Sequence, residues 1–400
     1  MDMMEAAAGG SRQKKVLCIA SVASNLDNFN RNNVELLLSM GYQVTLAANF
    51  QTDEDTNSAE KIRQFRIEME ERGIPVRQID FSRKMGNLKL QMRSIRQVDA
   101  LLQEGFDLVH CHSPICSAIT RAVSIKYRKK FGMKVVYTAH GFHFYTGAPL
   151  KNWLIFYPVE WLMSWFTDTL ITINHQDYVR ARKRLHARRT EYIHGVGVDT
   201  ERLNTAYIDC AETRKALGLS KEDIMLLSVG ELNENKNQGN VIRALAALRD
   251  PRVHYFLAGI GRTEDTLRSL ARELGVADKV HLLGFRTDVD QLCHAADLFV
   301  FPSIREGLPV ALMEAIACRT PVICSAIRGN EDLVKDPSHL FLPRQEESLE
   351  RCLSGIISGR TREELARASR AGVEENWETL RLFDVSNVTK EMTTIYGRFL

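Results

Sequence analysis

The feature that most restricts the fold is a rhythm. Short apolar, β-branched runs alternate with longer amphipathic ones along almost the whole 400 residues. KKVLCIASV (14–22), YQVTLAAN (42–49), DLVHCH (107–112), KVVYTAHG (134–141) and TLITIN (169–174) read as buried strands. Helical patterns such as NVELLLSM (33–40), closed by Gly41, lie between them. Strand, helix, strand repeated means βαβ units and a parallel sheet. Near residue 195 the rhythm restarts with IMLLSVGEL (224–232), VHYFLAGIG (253–261), KVHLLGF (279–285), LFVFPS (298–303) and TPVICSA (320–326). The chain is also too long for one ordinary core. The expected class is α/β, with two Rossmann-like, doubly wound domains: 1–195 and 196–375, followed by an amphipathic helical tail, 376–400. Only the pattern repeats, not the sequence.

Composition narrows the function. An apolar content of 44% and a charged content of 26% belong to a soluble globular chain. No apolar run approaches the ~18 residues of a membrane span. The opening MDMMEAAAGGSRQKK lacks the apolar centre of a signal peptide and reads as a mobile start. Eight scattered cysteines without a CxxC pair or other metal spacing point to a reduced, cytoplasmic setting. Residues 1–195 carry 27 Lys+Arg against 19 Asp+Glu, a net +8, whereas 196–400 carry a net −5. The basic half suits an anionic substrate or membrane surface, or is ordinary surface variation. Nothing supplies the context of a nucleic-acid binder.

In open parallel sheets, ligands bind beyond the carboxyl ends of the strands, and the informative residues follow strands. In FVFPSIREGLPVALMEAIACRTPVI (299–323), Pro309 suits the first turn of a helix. No Asn or Ser caps that helix, so the free N–H groups near Gly307, Leu308, Pro309 and Val310 need an acceptor. A diphosphate would serve. Glu314 sits among Ala, Leu, Met and Ile, where an unpartnered carboxylate is costly. A ribose offers it two hydroxyl donors. Glu306, before the helix, can meet a sugar hydroxyl. The plainer alternative is that Glu314 pairs with a neighbouring Arg or Lys and Glu306 is solvated. In SVGELNENKNQ, Lys236 follows the strand ending at Gly230 and can set a point charge on a phosphate, or be solvated. In TAHGFHFY, His140 follows a strand and precedes Gly141; it can reach a ligand, or be structural.

Together these pieces resemble the large retaining glycosyltransferase family 4, with the GT-B fold of two facing Rossmann-like domains. The resemblance rests on the E-x7-E pair Glu306 and Glu314 in register with FPS, on VGELNENKN, FLAGIGRTEDTL and HLLGFRTDV, and on TAHGFHFYTGAPLKNWLIFYPVEW. The branch with HGFHFY resembles capsule and exopolysaccharide enzymes. The resemblance implies a nucleotide-sugar donor, UDP-sugar by family frequency, held by the second domain without a metal. Lys236 would bind the diphosphate, Glu314 the ribose, and Glu306 the sugar. The backbone at Gly307–Val310 would hold phosphate and sugar, and Phe285 and Arg286 would border the base. His140 would reach the transferred sugar. The first domain would hold a glycan or polyprenyl-diphosphate-linked acceptor, against Ser24, Asn25, His143 and Tyr145. The tail would cross back to the first domain.

There are departures. Glu231, beside Gly230, stands where many members have Arg, and Arg262 could compensate. SVASNLDNF replaces a Gly-Gly turn. DED (53–55) and DVD (288–290) match a metal-site pattern but read as solvated. GIGRTE lacks the third glycine of a dinucleotide fingerprint. KNWLIFYPVEWLMSWF, broken or kinked at Pro158, reads as a core helix in preference to a membrane-dipping one. SIKYRKKFGMK and RARKRLHARR are better candidates for peripheral contact with anionic lipid. Two rival functions remain: a nucleotide-sugar 2-epimerase, and a non-catalytic sugar-nucleotide binder.

Overall fold

The computed structural model describes residues 12–82, 88–205 and 209–399. The first eleven residues, most of the segment expected to be mobile, lie outside the described residues. The chain divides into two compact units, Met1–Val196 with Thr389–Leu400, and Gly197–Val388.

The first unit holds seven parallel strands: β1 (Lys15–Val22), β2 (Gln43–Asn49), β3 (Val76–Gln78), β4 (Leu108–His112), β5 (Lys134–Ala139), β6 (Thr169–Thr172) and β7 (Arg189–Tyr192). Their order is β3-β2-β1-β4-β5-β6-β7. In β1 every residue after Lys15 is buried, as a strand covered on both faces requires. The register sets Val16 beside both Val44 and Leu108. The second unit holds β8 (Ile224–Val229), β9 (Val253–Ala258), β10 (Val280–Gly284), β11 (Leu298–Phe301), β12 (Val322–Ser325) and β13 (Leu340–Phe341), ordered β10-β9-β8-β11-β12-β13. Each sheet reverses strand order beside its first strand, at β1/β4 and β8/β11, the crevice where such sheets bind ligands. The pattern of the sequence did not disclose β3, β7 and β13. They are edge strands of three, four and two residues, too short to show alternation.

The glycines of AGIG have a packing reason. A Cβ on Gly259 would stand 1.9 Å from the Gly230 carbonyl oxygen, and one on Gly261 would stand 2.2 Å from that of Leu232. The tips of β8 and β9 touch backbone to backbone, which explains the partial resemblance to a dinucleotide fingerprint.

The tail differs from the single helix expected over 376–400. A helix Arg362–Leu380 ends first, a 3-10 turn Arg381–Phe383 follows, and a last helix runs Val385–Gly397. Asp384 makes the break, accepting a hydrogen bond from the Thr200 hydroxyl at 2.6 Å. The final residues are built into the first unit. Glu391 meets His194 Nδ1 at 2.7 Å, Lys14 Nζ donates to the Phe399 carbonyl at 2.8 Å, and the buried Tyr396 hydroxyl lies 2.7 Å from His110 Nδ1.

Candidate active site

In the second unit, the loops after β8 and β11 are tied together. Ile304 N donates to the Asn235 carbonyl (2.8 Å), and Asn235 Nδ2 donates to the Arg305 carbonyl (2.9 Å). Across that joint Lys236 Nζ donates to Glu306 Oε1 at 2.8 Å, with the two side chains 22% and 16% exposed. The ammonium also lies 4.9 Å from the centre of the Phe301 ring. A Cβ on Gly230, where φ is +145°, would be 3.4 Å from Lys236 Cε, so the glycine leaves room for the lysine stem. Arg328 Nε donates to the Glu306 carbonyl at 2.9 Å. A Cβ on Gly329 would stand 2.4 Å from the Gly307 oxygen, so the turn after β12 presses on the Glu306–Gly307 loop.

The helix that follows runs Val310–Ala317 and has no side-chain cap. Pro309 is its N-cap, in extended conformation with φ −87° and ψ 108°, and not part of its first turn. The helix leaves its first N–H groups free of side-chain acceptors. Glu306 is not the solvated residue of the plainer reading, because it pairs with Lys236. Glu314 is half-buried on this helix. Among the described residues no side chain hydrogen-bonds its carboxylate. Burial, with Cys318 and Asp290 adding and Arg202 opposing, pushes it up to about 7. It is a carboxylate poised to accept hydroxyl hydrogens once a ligand favours its charge.

Other expected donor residues are engaged elsewhere. Exposed Arg262 donates to exposed Glu234. Arg286 Nε donates to Asp288 Oδ1 at 2.8 Å. Phe285 is 74% exposed, an apolar ring free to cover a planar base. Glu231 is exposed, and its carbonyl accepts from Gln238.

The first unit gathers histidines at its strand tips. His110 and His112, two apart on β4, place their ring centres 4.2 Å apart. His112 Nδ1 lies 3.1 Å from His140 Nε2, just past β5. His110 Nε2 lies 2.8 Å from Thr138 Oγ1. Burial lowers His140 to about 4 and His110 to about 3, and takes His112 well below the usual range. All three are neutral at pH 7. His112 Nε2 is buried without a partner. Asp177 pins the turn after His140 by accepting from Phe142 N at 2.9 Å.

Of the expected acceptor residues, Ser24 is buried. Its N–H donates to Asp55 (3.1 Å), and its hydroxyl accepts from Thr56 (3.0 Å). Its helix, Ala23–Phe29, also carries Asn25, whose carbonyl accepts from Asn30, and reaches His140 through Phe29, ring centres 6.0 Å apart. The His143 ring stacks on Phe156 at 4.4 Å. Tyr145 is half-buried, and its carbonyl accepts from Ala148 N. Sequence reasoning missed His110, His112, Asn235, Arg328 and Gly329. The His-x-His spacing on a strand was a readable signal; the others depend on loops meeting in space.

No group of three or more His, Cys, Asp or Glu is placed to hold a metal among the described residues. Asp55 and Asp288, from the two D-x-D matches, are bound to protein donors.

Two parallel-sheet, Rossmann-like units with an uncapped helix start and the E-x7-E pair define the class of GT-B glycosyltransferases. HepE of Anabaena, in a structure with UDP, has this fold: TM-score 0.73 over 96% of this chain and 100% of that one, at 18% identity. Residues 28–202 match Glycosyltransferase Family 4, and residues 209–373 match Glycosyl transferases group 1. A Bacillus subtilis (strain 168) protein that carries the name glycosyltransferase EpsD is 35% identical over 393 residues, 97% of each chain. The chain belongs to the family 4 glycosyltransferases. It is also 29% identical, over 63% of its length and 66% of the relative's, to the UDP-Gal:alpha-D-GlcNAc-diphosphoundecaprenol alpha-1,3-galactosyltransferase of Escherichia coli.

Proposed function

We propose that the chain moves a hexose from a UDP-sugar to a polyprenyl-diphosphate-linked glycan in cell-surface polysaccharide synthesis, with retention of configuration and without a metal. The observation that carries this is the Lys236–Glu306 pair beside an uncapped helix start at the β8/β11 crevice. Lys236 and the free N–H groups meet the charge that grows on the departing diphosphate. Glu306, released from Lys236 by the phosphate, takes a sugar hydroxyl, and Glu314 takes the ribose diol. The acceptor hydroxyl attacks on the face that UDP leaves. The anomeric C–O bond to phosphate breaks, a new C–O bond to the acceptor forms, and the hydroxyl proton passes to a phosphate oxygen. His140, neutral, offers a hydrogen bond without a competing charge. The acceptor class follows the printed name of the E. coli relative, and the polysaccharide setting follows the EpsD likeness.

The test is UDP release and product mass with a panel of UDP-sugars and sugar-diphosphoundecaprenol acceptors, with and without EDTA. Acceptor-dependent turnover unaffected by EDTA supports the reading. An epimer formed from nucleotide-sugar alone, or tight UDP binding with no turnover on any acceptor, overturns it.

A further inference from the structure

The turn after β12 is held at both ends. Ser325 closes that strand, and its hydroxyl donates to the Ser303 carbonyl in the loop after β11. Ala326 N donates to the Phe341 carbonyl at 2.7 Å, tying the turn to β13. Asn330, fully buried, donates through Nδ2 to the Ser325 carbonyl at 2.9 Å. Arg328 and Gly329 are carried between these anchors. Arg328 is 7% exposed, a burial that a cation accepts only with polar partners.

The direction of two peptide planes follows. In a trans peptide the C=O and the N–H point opposite ways. Arg328 Nε donates to the Glu306 carbonyl at 2.9 Å, so the Gly307 N–H of that plane points away from Arg328. The Gly307 oxygen lies against Gly329, where an added Cβ would stand 2.4 Å from it. The Leu308 N–H therefore points away from Gly329. Gly329 has φ +80°, which glycine adopts without strain. Neither N–H meets an acceptor among the described residues. Two adjacent donors thus precede the free N–H groups at the start of the helix Val310–Ala317. Successive backbone N–H groups of this kind make an anion-binding concavity.

We infer that Arg328 is a positioning residue for the leaving diphosphate: it turns the Glu306–Gly307 peptide so that the Gly307 and Leu308 N–H groups face the phosphate. The inference rests on the proposed transfer reaction. The guanidinium acts through the peptide and not on the ligand. Its charge also polarises the peptide that it holds, which strengthens the Gly307 N–H as a donor. Glu306 is fixed twice by this arrangement, at its carbonyl by Arg328 and at its carboxylate by Lys236. A lysine at position 328 would keep the charge but lose the planar Nε–H that sets the direction of the bond.

The test uses the full chain, with Arg328→Ala and Arg328→Lys beside the wild type. It reads the UDP-induced thermal shift, the ligand-free melting temperature, and kinetics with the UDP-sugar and acceptor that the wild type turns over. Arg328→Ala is expected to lower kcat about 100-fold, as loss of an oriented donor to developing charge does, with KM for the acceptor unchanged. UDP affinity, read from the titrated thermal shift, should fall about tenfold. Arg328→Lys should lose most of the same activity. Added guanidinium ion, against sodium at equal ionic strength, should restore part of kcat to Arg328→Ala and none to the wild type. Hydrogen exchange over residues 304–312 should slow on UDP addition in the wild type and not in Arg328→Lys. Full kcat in Arg328→Ala with only a lower melting temperature overturns the inference, because the arginine then merely braces the turn. If Arg328→Ala does not fold, full activity in Arg328→Lys overturns it. Wild type that turns over without UDP-dependent protection of 304–312 overturns it while the proposed function stands. Wild type with neither a UDP shift nor acceptor-dependent UDP release overturns both.

Discussion

The two units share a strand order and put different chemistry at neighbouring places on it. Along β4 and just past β5, the first unit holds neutral, closely packed rings, His110, His112 and His140, of which the last two are hydrogen-bonded, inside a net-basic half. Beyond those of β8 and β11, the second holds the Lys236–Glu306 ion pair and the half-buried Glu314, inside a net-acidic half. The net charge of a half therefore does not set the chemistry at its strand ends. The scaffold decides where a ligand can sit, and the tips decide which. Under the proposed function, charged groups would meet the leaving diphosphate, and uncharged donors the hydroxyls.

The contrast breaks first at the lysine. Lys236→Ala is expected to lower kcat about 100- to 1,000-fold, as loss of a donor to developing charge does. It should also abolish the UDP thermal shift; a retained shift with full turnover would remove the diphosphate from this site. His140→Ala should cost about 100-fold in kcat/KM while leaving the UDP shift intact. A lost shift would place the histidines on the donor side.

Acid and base should pull the units apart. His140 is depressed on folding, so the unfolded chain binds more protons between pH 6.5 and about 4. Stability present above pH 6.5 is lost as pH falls, by about 3 kcal/mol for this residue. Glu314 is raised, so the folded chain binds more protons between pH 4.5 and about 7. Stability present below pH 4.5 is lost as pH rises through 7. Glu314→Gln should therefore stabilise the ligand-free chain at pH 8, by about 3 kcal/mol at most. Urea unfolding across pH, with hydrogen exchange followed in β4–β5 and in Val310–Ala317, reads both slopes. The smallest expected effect is that of Arg262→Ala. Its ion pair with Glu234 is exposed, so the melting temperature should hold. If Arg262 replaces the arginine missing at Glu231, kcat/KM for the donor should fall about fivefold; an unchanged value would leave Lys236 and the helix start as the whole clamp.

The second cluster was the more legible in sequence. Glu314 stands out because a carboxylate in an apolar run is costly, and Glu306 and the helix start lie within nine residues of it. Lys236 comes from another strand, but in each case a strand tip named the loop. The histidine cluster was half hidden. His140 showed itself by following a strand, whereas His110 and His112 read only as members of DLVHCH. Their meeting with His140 requires β4 and β5 to be neighbours, which spacing cannot give. The helix Leu150–Ser164 was half legible: Trp153, Phe156 and Tyr157 pack on the core as expected, and Leu150, Leu154 and Trp165 are exposed. An apolar surface records that it avoids water, not whether protein or lipid provides the shelter.

The seat of Tyr396 has a consequence for how the chain is made. Val196 leaves the ribosome long before Thr389, with the entire second unit, Gly197–Val388, synthesised between them. At about 5–20 residues per second that interval is on the order of 10–40 s. Throughout it, the first unit lacks Met392, Ile395 and Tyr396, all buried in the finished protein, and His110 waits for its hydroxyl partner. The first unit is begun first and finished last, so a truncated or stalled chain should leave an open apolar slot beside the histidines for a chaperone to recognise.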